Sequence, residues 1–206
     1  EKAISINPNY VNAHYNLGVI FQELGERQKA KSCYEKVIEL NPNFVNAYNN
    51  IGNILKELGE IEKAKECYEK AISINPNYVN AHYNLGNIFQ ELGERQKAKG
   101  CYEKAISINP NYADAHNNLG NILKELGEIE KAKECYEKAI EIDPDLFSAS
   151  SNFSNIYINQ LTDFETAISK SNETLKIYHK NYKLINQSIP LFKLKHDIEQ
   201  ANYLNS

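Results

Sequence analysis

Neither methionine nor tryptophan occurs anywhere in this chain of 206 residues. Without a methionine there is no natural start, and Glu1–Ile6 repeats Glu69–Ile74 letter for letter. The chain is therefore expected to be an excised piece whose first residues are the severed end of an earlier unit. Basic charge is not in excess: 23 Lys and Arg stand against 27 Asp and Glu, a formal net charge of −4. Such a balance offers no field to attract nucleic acid. No apolar run approaches the roughly 20 residues of a membrane-spanning helix. The opening EKAISINPNY has neither the basic start nor the apolar centre of a secretory signal. No nucleic-acid partner, no membrane and a cytoplasmic location are the expectations that follow. Cysteine is scarce, with four in all, and neither C-x2-C nor H-x3-H spacing occurs. No metal and no cofactor are expected.

What the chain does have is a period. Pro8, Pro42, Pro76, Pro110 and Pro144 fall 34 residues apart, and Cys33, Cys67, Cys101 and Cys135 keep the same step, as do Tyr34, Tyr68, Tyr102 and Tyr136. A fixed period of roughly 20 to 50 residues marks an array in which each repeat touches only its neighbours. The cysteines are then one position copied four times. Equivalent points on stacked repeats lie about a helix-pair width apart, beyond the roughly 4.4–6.8 Å between Cα atoms that a disulfide needs. They read as half-buried packing residues.

In the first copy His14, Leu17, Gly18, Phe21, Ala30, Tyr34 and Pro42 reproduce the spacing W-x2-L-G-x2-Y…A-x3-F…P. The match recurs at Tyr48/Ile51/Gly52/Leu55/Ala64/Tyr68, at His82/Leu85/Gly86/Phe89/Ala98/Tyr102 and at His116/Leu119/Gly120/Leu123/Ala132/Tyr136. On these residues the chain resembles the tetratricopeptide repeat family from about Asn7 to Leu146, with His or Tyr for Trp and Tyr for Phe. The resemblance implies an all-α, right-handed solenoid of antiparallel helix pairs. Residues 1–10 would be the severed end of a preceding repeat, followed by four repeats at 11–44, 45–78, 79–112 and 113–146. A degenerate fifth repeat is expected at 147–180, where Ser154 replaces the glycine and an extra residue near Thr162 puts Ala167 one place late. Residues 181–206 are expected to form an irregular, mostly helical C-terminal cap, since arrays need atypical ends. The repeats also alternate in type, FQELGERQKAK with LKELGEIEKAK, as a duplicated two-repeat block would.

Each repeat reads as two helices. Asn9, Asn43, Asn77 and Asn111 follow the prolines and are expected N-caps, because a short amide accepts from the first free N–H groups. An apolar stripe follows at Ala13, Leu17, Ile20, Phe21 and Leu24. Gly25, Gly59, Gly93 and Gly127 sit just past it, where a left-handed residue ends a helix cheaply. Helix B begins near Glu26, shows Ala30, Cys33, Tyr34, Val37 and Ile38, and closes before Asn41–Pro42, since the residue before proline avoids helical geometry. Gly18 inside helix A costs roughly 1 kcal/mol against Ala; paired with Ala30, it is expected to let two backbones approach. Lys31–Glu35, Lys65–Glu69 and Glu66–Lys70 stand four apart on the outside of helix B, a solvated and self-paired face.

The remaining side of helix A carries asparagine. The five copies give Asn12, Tyr15 and Asn16; Asn46, Asn49, Asn50 and Asn53; Asn80, Tyr83, Asn84 and Asn87; Asp114, Asn117, Asn118 and Asn121; and Asn152 and Asn155. Asparagine is a mediocre helix former, so several on one stripe break a local rule in the way functional surfaces do. The plain alternative is a wet surface that tolerates polar residues, copied by duplication. An amide both donates and accepts, so a ladder of them would grip the main chain of an extended peptide whatever its side chains, with Tyr15 and Tyr83 adding apolar contact. Asn directly before Leu-Gly, as in Tyr15–Gly18 and Asn118–Gly120, resembles the superhelix of the O-GlcNAc transferases, whose equivalent asparagines hold substrate peptide backbone. Lys and Arg are absent from these places, which argues against capture of an acidic C-terminus.

No catalytic constellation appears, and no enzymatic activity is expected. His14, His82 and His116 read as packed, hydrogen-bonded residues, and the glycosylation-like triplets at Asn152, Asn172 and Asn186 as coincidence. The expected role is a non-catalytic scaffold binding another protein or an extended peptide segment in the concave groove. Two alternatives stay open. One is the substrate-recognition arm of a larger, glycosyltransferase-like enzyme. The other is self-association through the uncovered face of the first repeat.

Overall fold

The computed structural model describes residues 2–159. Among these residues the chain forms ten α-helices and no strand: α1 (Lys2–Ile6), α2 (Val11–Glu23), α3 (Arg27–Leu40), α4 (Val45–Glu57), α5 (Ile61–Ile74), α6 (Val79–Glu91), α7 (Arg95–Ile108), α8 (Ala113–Glu125), α9 (Ile129–Ile142) and α10 (Phe147–Asn159). Within each repeat the A and B helices pack as a hairpin, α2 on α3, α4 on α5, α6 on α7 and α8 on α9. Each hairpin then meets its neighbour through one B helix and the next A helix, α3 on α4, α5 on α6 and α9 on α10. This is the helix-pair stacking of a tetratricopeptide solenoid. The chain divides into two compact units, one running to Pro110 and one starting at Asn111. Helix α10 is the expected A helix of the fifth repeat, with Ala149, Phe153 and Ile156 buried. The rest of that repeat and the expected cap at 181–206 lie outside the described residues.

The turns between repeats correct one expectation. Asn9, Asn43, Asn77 and Asn111 are not the N-caps; Tyr10, Phe44, Tyr78 and Tyr112 hold that position without a side-chain hydrogen bond to the helix. The asparagine before each proline works instead. Asn7 Oδ1 accepts the Asn9 N–H at 3.1 Å, and Asn41 and Asn75 hold Asn43 and Asn77 in the same way. This local Asx turn bends the chain ahead of the helix. The opposite end behaves as expected. Gly25 takes φ 73°, with its N–H on the Gln22 carbonyl at 3.0 Å and the Glu26 N–H on the Phe21 carbonyl at 2.8 Å. That pair of bonds is a Schellman motif, repeated at Gly59, Gly93 and Gly127.

The core of each hairpin is a tyrosine. Tyr34, Tyr68, Tyr102 and Tyr136 are wholly buried on their B helices. Each ring lies flat against the glycine of its A helix: a Cβ added at Gly18 would come within 2.6 Å of Tyr34 Cε1, and Gly52, Gly86 and Gly120 repeat the distance. The glycine therefore makes room for the aromatic ring of Tyr34, and Ala30 on the same B helix is fully buried. On the outside of the B helices, Lys31 meets Glu35 at 3.8 Å as expected, while Lys65 pairs with Glu62 at 3.4 Å, one turn back rather than forward to Glu69. These pairs are exposed and contribute little.

Candidate peptide-binding face

The asparagines of the A helices fall into registers with different surroundings. In the first turn Asn12, Asn46, Asn80 and Asp114 are exposed. One turn on, Asn16 is exposed and Asn50, Asn84, Asn118 and Asn152 are half-buried. Beside them Asn49 and Asn117 are buried, while Tyr15 and Tyr83 are half-buried. Asn53, Asn87 and Asn121 are half-buried, and Asn155 is exposed.

The inner registers are tied together. Asn84 Nδ2 donates to Asn49 Oδ1 at 2.9 Å and to Asn53 Oδ1 at 3.1 Å, both on the preceding A helix. In the second unit Asn152 Nδ2 donates to Asn117 Oδ1 at 3.0 Å. At the first step Asn50 Nδ2 reaches the Tyr15 hydroxyl at 3.4 Å. The alternation of repeat types thus swaps Tyr for Asn at one place and keeps an oxygen acceptor there either way. Each such bond crosses from one repeat to the next, so these amides set the spacing of the stack as well as its surface.

The buried tyrosine hydroxyls bind the next register. Tyr68, Tyr102 and Tyr136 donate to Asn53, Asn87 and Asn121, each at 2.8 Å. In the first repeat Val19 stands where the others have asparagine, and Tyr34 donates to Gln22 Oε1 at 2.9 Å instead. The Tyr102 hydroxyl lies within reach of both acceptors, Asn87 Oδ1 at 2.8 Å and Gln90 Oε1 at 2.7 Å, and donates its one proton to either. Sequence reasoning misses Gln22 and Gln90; the available signal is Val19, the one copy lacking the asparagine. Burial pushes the Tyr34 phenol up to about 12 and those of Tyr68 and Tyr136 further, so they stay neutral donors. Tyr15 also packs its ring on Tyr34 and Phe44, with centroids 5.7 and 5.0 Å apart.

The side of the A helices is therefore an array of amides, inner ones fixed by hydrogen bonds and outer ones open to solvent. Asn84 spends both amide protons on its neighbours. His14 and His82 bond the Pro8 and Pro76 carbonyls through Nε2 at 2.8 and 2.9 Å, tying helix A to the preceding turn. Burial pushes the Cys67 and Cys101 thiols up to about 11, away from the thiolate form that reacts. Among the described residues no group of His, Cys, Asp and Glu could hold a metal ion, and no helix is long and apolar enough to cross a membrane.

Stacked helical hairpins with a tyrosine-on-glycine core and a polar A-helix side define a repeat scaffold of the protein-interaction class. Family models for the tetratricopeptide repeat match at residues 11–44, 79–112 and 113–146, and two further models of such repeats match at 33–66 and 52–93. The chain belongs to the tetratricopeptide repeat family, whose repeats are protein-interaction modules. No curated protein matches the sequence. Among solved structures, a MamA protein is 28% identical, with 84% of this chain and 94% of that one covered at a TM-score of 0.71. YrrB, described as "a TPR protein with an unusual peptide-binding site", is 22% identical, covering 91% and 96% at 0.69. PilF of Pseudomonas aeruginosa is 19% identical, covering 94% and 87% at 0.75. The last two likenesses bear on the fold alone.

Proposed function

We propose that this chain is a non-catalytic scaffold that holds an extended polypeptide along the A-helix side through asparagine side chains. The observation that carries the reading is the pairing of two registers. Asn12, Asn46 and Asn80 stand exposed at the same first-turn position of α2, α4 and α6; on α4 and α6 they stand beside amides bonded to the neighbouring repeat, and on α2 beside the Tyr15 hydroxyl that one of these amides reaches. Preorganised donors and acceptors lose little freedom on binding. An amide can meet either a backbone N–H or a C=O, so such a face would recognise main chain and be tolerant of sequence. Tyr15 and Tyr83 would supply apolar contact between the polar rungs.

The test uses the intact chain against an immobilised library of unstructured peptides. Converting Asn12, Asn46 and Asn80 to Ala together should weaken the best binders about tenfold or more, since three hydrogen bonds of about 0.5–1.5 kcal/mol each are removed. The melting temperature should hold, because all three side chains are exposed. Unchanged affinity would remove this face from consideration.

A further inference from the structure

The asparagine face alternates every second repeat. Helices α2 and α6 differ at one residue in thirteen, Val19 against Asn87, whereas α4 between them is of the other type. The difference that reaches the surface is at the fifth residue of each helix, where α2 has Tyr15, α4 has Asn49 and α6 has Tyr83. Each stands three residues after an exposed asparagine, Asn12, Asn46 or Asn80, and so on the same side of its helix. Both tyrosines are half-buried. The Tyr15 ring rests on Tyr34 and Phe44, and the Tyr83 ring on Tyr102 with centroids 6.0 Å apart. The partners of Tyr15 all follow it in the chain, and Tyr83 keeps its half-burial with α4 and α5 stacked before it. Asn49 is instead withdrawn, 4% exposed, with its Oδ1 taken by the Asn84 amide. The rungs therefore run ring, recessed amide, ring.

We infer, resting on the asparagine grip proposed above, that the bound segment carries two apolar side chains about six residues apart, one against Tyr15 and one against Tyr83. Between them only main chain passes over Asn49, and the sequence there is free. The separation follows from the stacking. Helix α4 touches α6 directly, and Asn50 ties α4 to α2 across the equivalent step. Helices in contact lie about 8–10 Å apart, so the two steps span about 16–20 Å. An extended chain advances about 3.3 Å per residue and covers that span in about five or six. Side chains of such a chain point alternately to opposite sides, so an even separation puts both on the tyrosine side. Apolar groups fit because the fifth and second positions of α2, α4 and α6 hold only tyrosine and asparagine, with no charge to favour an ionic partner.

The probes are fluorescent synthetic peptides of Gly, Ser and Thr carrying two leucines, one peptide for each separation from adjacent to twice the expected distance, with a leucine-free parent. Anisotropy titrations against the full chain should show an affinity peak at a separation of about six, about fivefold or more above the odd separations on either side. Tyr83→Asn and Tyr15→Asn each install the side chain that α4 already carries at this place, so the helical signal should hold while the peak disappears. A peak that survives both substitutions would overturn the inference by placing the leucines elsewhere. Affinity that ignores the separation, while conversion of Asn12, Asn46 and Asn80 to Ala still weakens every peptide, would sink the spacing and leave the asparagine grip standing. Absence of binding by any peptide, the parent included, would remove both.

Discussion

Replacing Gly86 by Ala sets two opposing effects against each other in a way the structure decides. In an open helix the change should stabilise by up to about 1 kcal/mol, because glycine has the larger backbone entropy to lose. At Gly86 the new methyl would lie 2.6 Å from Tyr102 Cε1 and 2.8 Å from Cδ1. The Tyr102 ring is wholly buried and its hydroxyl lies 2.8 and 2.7 Å from the acceptors of Asn87 and Gln90, so it has nowhere to retreat without giving up its hydrogen bond. Overpacking of this kind costs about 1–3 kcal/mol, and one weakened hydrogen bond about 1 kcal/mol more. The net expectation is a loss of about 2 kcal/mol. The chain carries its own control in Gly100, inside α7, where an added methyl would meet no atom within 4 Å. There the same substitution should stabilise by about 0.5–1 kcal/mol. Urea titrations followed by helical circular dichroism compare the two midpoints directly. With a slope of about 1–3 kcal/mol per molar urea, Gly86→Ala should lower its midpoint by about 1 M and Gly100→Ala should raise its own by a few tenths. Midpoints that move the same way would refute the packing argument.

Two further outcomes follow from the hydrogen-bonded interior. Asn84→Ala strips Asn49 of a partner at 2.9 Å and leaves a buried oxygen unsatisfied, so it should cost about 1–3 kcal/mol. Asn46→Ala, on the same face but exposed, should stay within about 0.5 kcal/mol in the same urea assay. Alkali should unfold the chain through its phenols. A tyrosine that ionises near pH 10 when unfolded is pushed up to about 12 at Tyr34 by burial. The raised folded value means this contribution is complete below about pH 10 and is lost as pH climbs towards 12. Phenolate absorbance should show a late class of tyrosines whose ionisation coincides with loss of helix; simple early titration of every phenol would contradict the burial.

The residues that punctuate the chain are the easiest to interpret. Gly25 and its copies announce the left-handed helix ends because no other residue fits φ near 73° cheaply. The landmarks at 34-residue intervals locate every described hairpin to within about two residues, the usual latitude at helix ends. Local chemistry misleads at Asn9, where a good capping residue sits one place before the N-cap Tyr10 and its own N–H is held by Asn7. The role of Gly18 is half legible: a close approach is evident, but that an aromatic ring fills the space depends on how two helices face each other. The asparagine face is hardest. Composition marks it as unusual, yet Asn84 finds its partners 31 and 35 residues earlier in the chain, and no local pattern distinguishes an amide that greets solvent from one that bonds the neighbouring repeat.

The near identity of α2 and α6 has a kinetic consequence. During synthesis α5 emerges after α2, whose sequence is nearly that of its proper neighbour, and before α6. Nothing in thirteen residues except Val19 tells the two apart, so the nascent chain depends on the short turn at Asn75–Tyr78 to make the correct neighbour arrive sooner. Misassembly between nearly interchangeable modules is a characteristic failing of repeat proteins. Here the brevity of that connection, more than any difference between the surfaces, guards against it.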